Sequence, residues 1–183
     1  MAALTVKDLL EAKGKRQLTY VQVAREEEAI AASEAGMDMI GTAFIPERAH
    51  FAKAVPNSHF QFGMLWGKHA DATEALRDAM AAMQAGAQSV YCGMSPQIIE
   101  VLAREGVPVI CHVGLVPPKA TWTGGFRAVG KTLDQAKMVW QQVKDFEAAG
   151  ALAVELEVVA ANLSTEITAR TSMLTISLGS GGG

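Results

Sequence analysis

Apolar and polar positions along this chain fall into one phrase that occurs four times: an amphipathic stretch closing on a small residue or Glu plus Gly, then a short apolar run. It reads ASEAGMDMI (Ala32 to Ile40), AMQAGAQSV (Ala82 to Val90), LAREGVPVI (Leu102 to Ile110) and FEAAGALAV (Phe146 to Val154). Gly36, Gly86, Gly106 and Gly150 occupy the place where a helix ends in a left-handed residue, a conformation glycine adopts without steric cost. The pattern predicts strands over 17–23, 37–42, 60–65, 89–92, 107–112, 152–157 and 174–178, and helices over 26–35, 72–85, 96–105, 133–149 and 161–170. Asp71, Thr132 and Ser95, the last followed by Pro96, are the expected N-caps. Strict alternation of helix and strand predicts a parallel sheet covered by helices, which excludes an all-α bundle and a β-sandwich. Periodicity leaves a barrel and a doubly wound sheet both open, although no GxGxxG follows the first strand.

The 183 residues, half of them apolar and 19% charged, suit one domain with one core. A net charge of −3 with scattered basic residues gives no general attraction to nucleic acid or anionic membranes, so neither is an expected partner. No apolar run is long enough to span a bilayer and the N-terminus is amphipathic, unlike a secretory signal, so the expected location is cytoplasmic. Cys92 and Cys111 lie in different predicted strands without metal-ligand spacing and are read as small buried side chains. The closing SLGSGGG (177–183) follows an apolar run; it reads either as an interior turn preceding an absent eighth βα unit or as a flexible tail.

From residue 107 the text becomes specific. VPVICHVGLVPPKATWTGGFRAVGKT (107–132), DFEAAGALAVELEVVAANLSTEIT (145–168) and the final ISLGSGGG, with LTVKDLLEAKGKRQLT (4–19) at the start, resemble the ketopantoate hydroxymethyltransferase family. The resemblance implies a (β/α)8 TIM barrel, here truncated after the seventh strand, with its site at the carboxyl ends of the strands. It also implies hydroxymethyl transfer from methylenetetrahydrofolate to a 2-oxo acid, 3-methyl-2-oxobutanoate, in pantothenate biosynthesis, with magnesium holding the oxo acid and self-association into a decamer. Glu157 matches the family's general base and His112 its substrate-contacting histidine. The plain alternatives are an exposed strand-end carboxylate and a hydrogen-bonded structural histidine.

Four positions depart from the family pattern. Its two metal-binding aspartates align with Phe44 and Gly63, and a Lys and a Glu from its fourth strand align with Tyr91 and Gly93. None of the four replacements offers the carboxylate oxygens a hard cation prefers, so no metal ligand is assigned and an ordinary magnesium-enolate route is not expected. Glu155 lies two residues before Glu157, so both side chains leave the same strand face, and Glu155 and Tyr91 join His112 as substrate-lining candidates. Two neighbouring interior carboxylates call either for a shifted metal site with His112 or for a cationic neighbour; Lys68, His69 and Lys119 are available in loops. Phe44, Trp66, Tyr91, Trp122 and Phe126 are expected to narrow the mouth. Two further functions stay open: carbon–carbon cleavage or mutation of an oxo acid, as in the phosphoenolpyruvate mutase and isocitrate lyase group, and a non-catalytic ligand-binding relative.

Overall fold

A computed structural model describes residues 2–182. Its sheet has seven strands, all parallel and in sequential order: β1 (Tyr20–Gln22), β2 (Met39–Ala43), β3 (His59–Gly63), β4 (Ser89–Tyr91), β5 (Val109–Gly114), β6 (Ala153–Glu157) and β7 (Leu174–Leu178). This is a curled sheet with helices outside, one strand short of a closed (β/α)8 barrel, with β1 and β7 as its edges. Sequential order decides for a barrel-like curl over the doubly wound sheet that periodicity had left open, because a doubly wound sheet reverses direction partway along.

The helices are α1 (Val6–Ala12), α2 (Glu26–Glu34), α3 (Phe51–Ala54), α4 (Ala72–Gln84), α5 (Pro96–Arg104), α6 (Leu133–Ala148) and α7 (Ala161–Arg170). Helix α4 shows why they form and where they dock. Asp71 accepts a hydrogen bond from the Glu74 amide at its N-terminus, and Ala75, Ala79 and Ala82 are its buried residues, at one-face spacing. Small side chains there let the helix lie close to the sheet. Thr132 caps α6 as expected, whereas Ser95 makes no side-chain cap and α5 relies on Pro96 in its first turn. All four glycines of the repeated phrase have positive φ, between 79° and 112°.

Alternation along each strand separates two environments. Ile40, Phe60, Phe62, Val90, Val109, Cys111, Val154 and Leu156 face outward and join the helices in the main core, and the two cysteines are free and buried there. The opposite residues of every strand face the concave side, where a cavity of about 1020 Å³ lies. Helix α1 closes the amino-terminal end of this concavity: Leu9, fully buried, packs with Met39, Ile110, Leu152 and Ala153. Access is therefore at the carboxyl ends of the strands and along the β1–β7 gap. In the segment after β7, the Ser180 hydroxyl donates to Leu156 O at 2.6 Å and accepts from the Val159 amide at 2.8 Å, so this stretch is a turn packed on β6, not a free tail. No helix among the described residues is long and apolar enough to cross a membrane.

Candidate active site

Register brings the chemistry together. His112 on β5 pairs with Glu155 on β6, and two residues further along Gly114 pairs with Glu157. Gly114 has φ 98°, and a Cβ there would stand 2.3 Å from the Glu157 carbonyl oxygen, so only glycine permits this approach. Immediately after Glu157 the chain enters Val158 with φ 50°, the one non-glycine residue with positive φ among those described. A β-branched residue in that region is strained; hydrogen bonds from Val158 N to Leu178 O and from Val129 N to Val158 O hold it there. The turn fixes the backbone that carries Glu157.

The His112 imidazole is buried between acceptors and one donor. Its Nε2 lies 2.8 Å from Leu115 O, 3.0 Å from Glu157 Oε2 and 3.9 Å from Glu155 Oε1. The two within hydrogen-bond reach, Leu115 O and the Glu157 carboxylate, are acceptors, which puts the proton on Nε2. The Tyr91 hydroxyl then donates to Nδ1. Burial pushes the His112 pKa down to about 4, opposed by the Leu115 carbonyl, and the nearby Lys119 charge adds to the fall; the ring is neutral near pH 7. Burial, and then the charge of Glu157, raise the Glu155 carboxyl to about 7. Burial alone raises Glu157 above the ordinary carboxylate range. Tyr91 and Tyr20 are held protonated by burial and then by the Glu155 charge.

All four sequence-predicted residues, Tyr91, His112, Glu155 and Glu157, line the cavity. Other expectations are corrected. Lys68 and His69 turn to Asp78 on α4, at 2.5 and 2.8 Å, because that carboxylate lies one short reach away; they do not serve the cavity. Lys119 is the loop cation whose charge reaches His112. Phe44 packs on Phe62 with ring centroids 5.1 Å apart, and Trp122 and Phe126 are 90% and 75% exposed, leaving Trp66 and Tyr91 as the expected aromatics that line the cavity.

Tyr20 was missed by sequence reasoning. A Cβ on Gly41 would lie 2.4 Å from its hydroxyl, so glycine on β2 makes room for the phenol to cross the concave face. The alternation that placed Glu155 and Glu157 also places Tyr20 and Gln22 inward, which was the available signal. Beside it, fully buried Gln61 closes no hydrogen bond through either amide atom, although it lies close enough to oppose the upward push on Tyr20.

The magnesium implied by the family resemblance fits these residues poorly. Phe44 is committed to core packing, Gly63 and Gly93 have no side chain, and Tyr91 is bonded to His112. Single ligand atoms of His112, Glu155 and Glu157 do lie within 4.8 Å of one another, a spacing that suits a cation. Yet Nε2 carries a proton and Nδ1 accepts from Tyr91, so the imidazole has no free lone pair. Magnesium takes one or two carboxylates and completes its shell with waters, but burial and the neighbouring Glu157 charge raise Glu155 to about 7, so this pair offers less than two full negative charges.

Fold and site together define a class: parallel α/β barrel proteins with an imidazole and carboxylates converging at the carboxyl ends of neighbouring strands. Among solved structures the chain is similar to a putative lyase/mutase from Burkholderia cenocepacia, with a TM-score of 0.70 at 11% identity over 97% of this chain and 74% of that one. It is also similar to 2,3-dimethylmalate lyase, a PEP mutase/isocitrate lyase superfamily member, with a TM-score of 0.65 at 10% identity over 96% and 81%. At these identities the fold is what is shared.

The sequence profile of the family described as ketopantoate hydroxymethyltransferase matches residues 42–183, and the chain belongs to that family. Curated relatives named 3-methyl-2-oxobutanoate hydroxymethyltransferase include one from Deinococcus radiodurans, 36% identical over 80% of this chain and 55% of that protein. Another, from Caldivirga maquilingensis, is 30% identical over 97% of this chain and 76% of that protein. The chain thus spans little more than half of the first relative's length.

Proposed function

We propose that this chain takes part in the hydroxymethyl transfer of its family, acting on a small 2-oxo acid such as 3-methyl-2-oxobutanoate with methylenetetrahydrofolate as one-carbon donor. Glu157 is the general base that removes a proton from the carbon next to the oxo group. The observation that carries this reading is its placement: the last residue of β6, half-buried in the cavity, with its carboxylate 3.0 Å from His112 Nε2. A base for a carbon acid must be held within hydrogen-bond reach of its target and work near its own pKa, and partial burial moves Glu157 upward in that direction.

His112, neutral and fixed by Tyr91, directs its N–H at Leu115 O and stands 3.0 Å from Glu157, lining the substrate's edge beside the base. Tyr91 sets the tautomer from behind. The test is product formation: protein, methylenetetrahydrofolate and 3-methyl-2-oxobutanoate yield the hydroxymethylated acid, and Glu157→Gln lowers the rate by about a hundredfold or more, the scale of general-base loss. Equal rates for the variant and the parent overturn the assignment. Release of a smaller oxo acid without folate supports the lyase reading instead.

A further inference from the structure

With Glu157 as base, the charge that leaves the carbon acid must arrive somewhere. Removing the proton delivers the C–H electron pair into a C2–C3 double bond and sends the carbonyl π pair to oxygen. That oxygen becomes anionic inside a largely apolar cavity, where a donor aimed at it is worth far more than in water. The donors around the base are mostly engaged. The His112 N–H points at Leu115 O, and the Tyr91 hydroxyl is given to His112 Nδ1. At the amino-terminal end of the cavity, Lys13 is held by Thr168 O and Met173 O and Arg16 by Asp38.

Glu155 is an uncommitted group beside the base, with a carboxyl oxygen within 4.8 Å of one of Glu157. It sits one layer deeper than Glu157 on the same face of β6, is 9% exposed, and lines the cavity. The His112 Nε2–H, from β5, lies 3.9 Å from Glu155 Oε1. From β4 and β1 Glu155 faces Tyr91 and Tyr20, whose phenols burial keeps protonated. No lysine or arginine among the described residues forms an ion pair with it. Two carboxyl groups this close in a buried site do not both ionise, and the deeper one retains the proton.

We infer that Glu155, as a neutral carboxylic acid, donates its O–H to the developing enolate oxygen of the 2-oxo acid, doing by hydrogen bond what a cation would do by charge. The inference rests on the reading of Glu157 as base. In the step, Glu157 takes the proton from C3, the oxo oxygen takes the electron pair, and Glu155 keeps its own proton while bonding to that oxygen. Running the step backward in D2O returns a deuteron to C3, so exchange at C3 reports on it without folate.

The experiment follows C3 exchange of 3-methyl-2-oxobutanoate in D2O by proton NMR, with excess EDTA, across pH 5 to 9. The parent is expected to exchange with chelator present and to lose rate as pH rises through about 7, where Glu155 ionises. Glu155→Gln, which keeps a neutral donor, is expected to stay within about tenfold of the parent and to lose the alkaline fall. Glu155→Leu is expected to drop by about 10² to 10³, the usual loss of one such donor.

If the parent exchanges but EDTA stops it, or Glu155→Gln is as slow as Glu155→Leu, or its alkaline fall persists, Glu155 is not the donor. Glu157 then remains the base. If the parent exchanges nothing under any condition, both readings fail.

Discussion

Glu157 and His112 meet across neighbouring parallel strands, Oε2 to Nε2 at 3.0 Å, and the far nitrogen of the same ring accepts from Tyr91. The ring is thus read from both sides, and its tautomer is fixed by what surrounds it. Tyr91→Phe removes the donor to Nδ1 and leaves a buried acceptor unpaired, a cost of about 1 to 3 kcal/mol in stability. Nitrogen-15 NMR of the parent should show Nε2 protonated and Nδ1 bare, and the variant should show a mixture. A parent ring protonated on Nδ1 contradicts the arrangement.

Stability should respond to pH in a way that hides its own cause. His112 has a folded pKa of about 4 against an ordinary 6.5, so the unfolded chain binds the extra proton and stability rises with pH across that window. Glu155 has a folded pKa of about 7 against 4.5, so the folded chain binds the extra proton and stability falls as pH rises from 4.5 to 7. Between about pH 4.5 and 6.5 the two slopes oppose, each with an upper limit of about 1.4 kcal/mol per pH unit. Urea unfolding should therefore show Glu155→Gln gaining stability relative to the parent as pH rises through this range. His112→Gln should lose stability relative to the parent over the same range.

The crossing of Tyr20 over Gly41 predicts a repairable clash. Gly41→Ala places a methyl 2.4 Å from the phenol oxygen and about as close as 3.1 Å to two ring carbons. Overpacking of this kind costs about 1 to 3 kcal/mol. Removing the oxygen in Gly41→Ala/Tyr20→Phe should recover part of that loss in thermal melts. Strictly additive losses contradict the geometry.

Val158, strained at φ 50°, predicts separate effects on stability and rate. Val158→Asn puts in a residue that tolerates the left-handed region and should cost less than about 1 kcal/mol despite losing half-buried apolar surface. If the strain holds Glu157 in place, exchange at C3 should slow while the melting temperature barely moves. A large loss of stability with unchanged exchange would show that Val158 matters only for packing.

Much of this was legible in the chain itself. Seven strands and the glycine stops follow from periodicity, and β7 falls on the expected 174–178, where the alternating LTISL run marks a partly exposed edge strand. The pairing of Glu155 with Glu157 on one face followed from the two-residue repeat. Strand ends were less legible: β5 begins at Val109 and runs to Gly114, two residues later than expected, since the glycine-bearing end is held by the Glu157 carbonyl of a strand distant in sequence. The partners of Lys68 and His69 were hidden because Asp78 is placed by the helix that follows their loop. Tyr20 was overlooked because its role depends on an absent side chain at Gly41.

In the proposed reaction, the carboxylate ending β6 takes a proton from a carbon acid bound in the cavity. Proton NMR of 3-methyl-2-oxobutanoate in D2O, with the parent protein and with Glu157→Gln at equal folded concentration, tests it most directly. Loss of the C3 proton signal is expected with the parent, and a rate lower by about a hundredfold or more with the variant. Exchange that proceeds equally in both would contradict it.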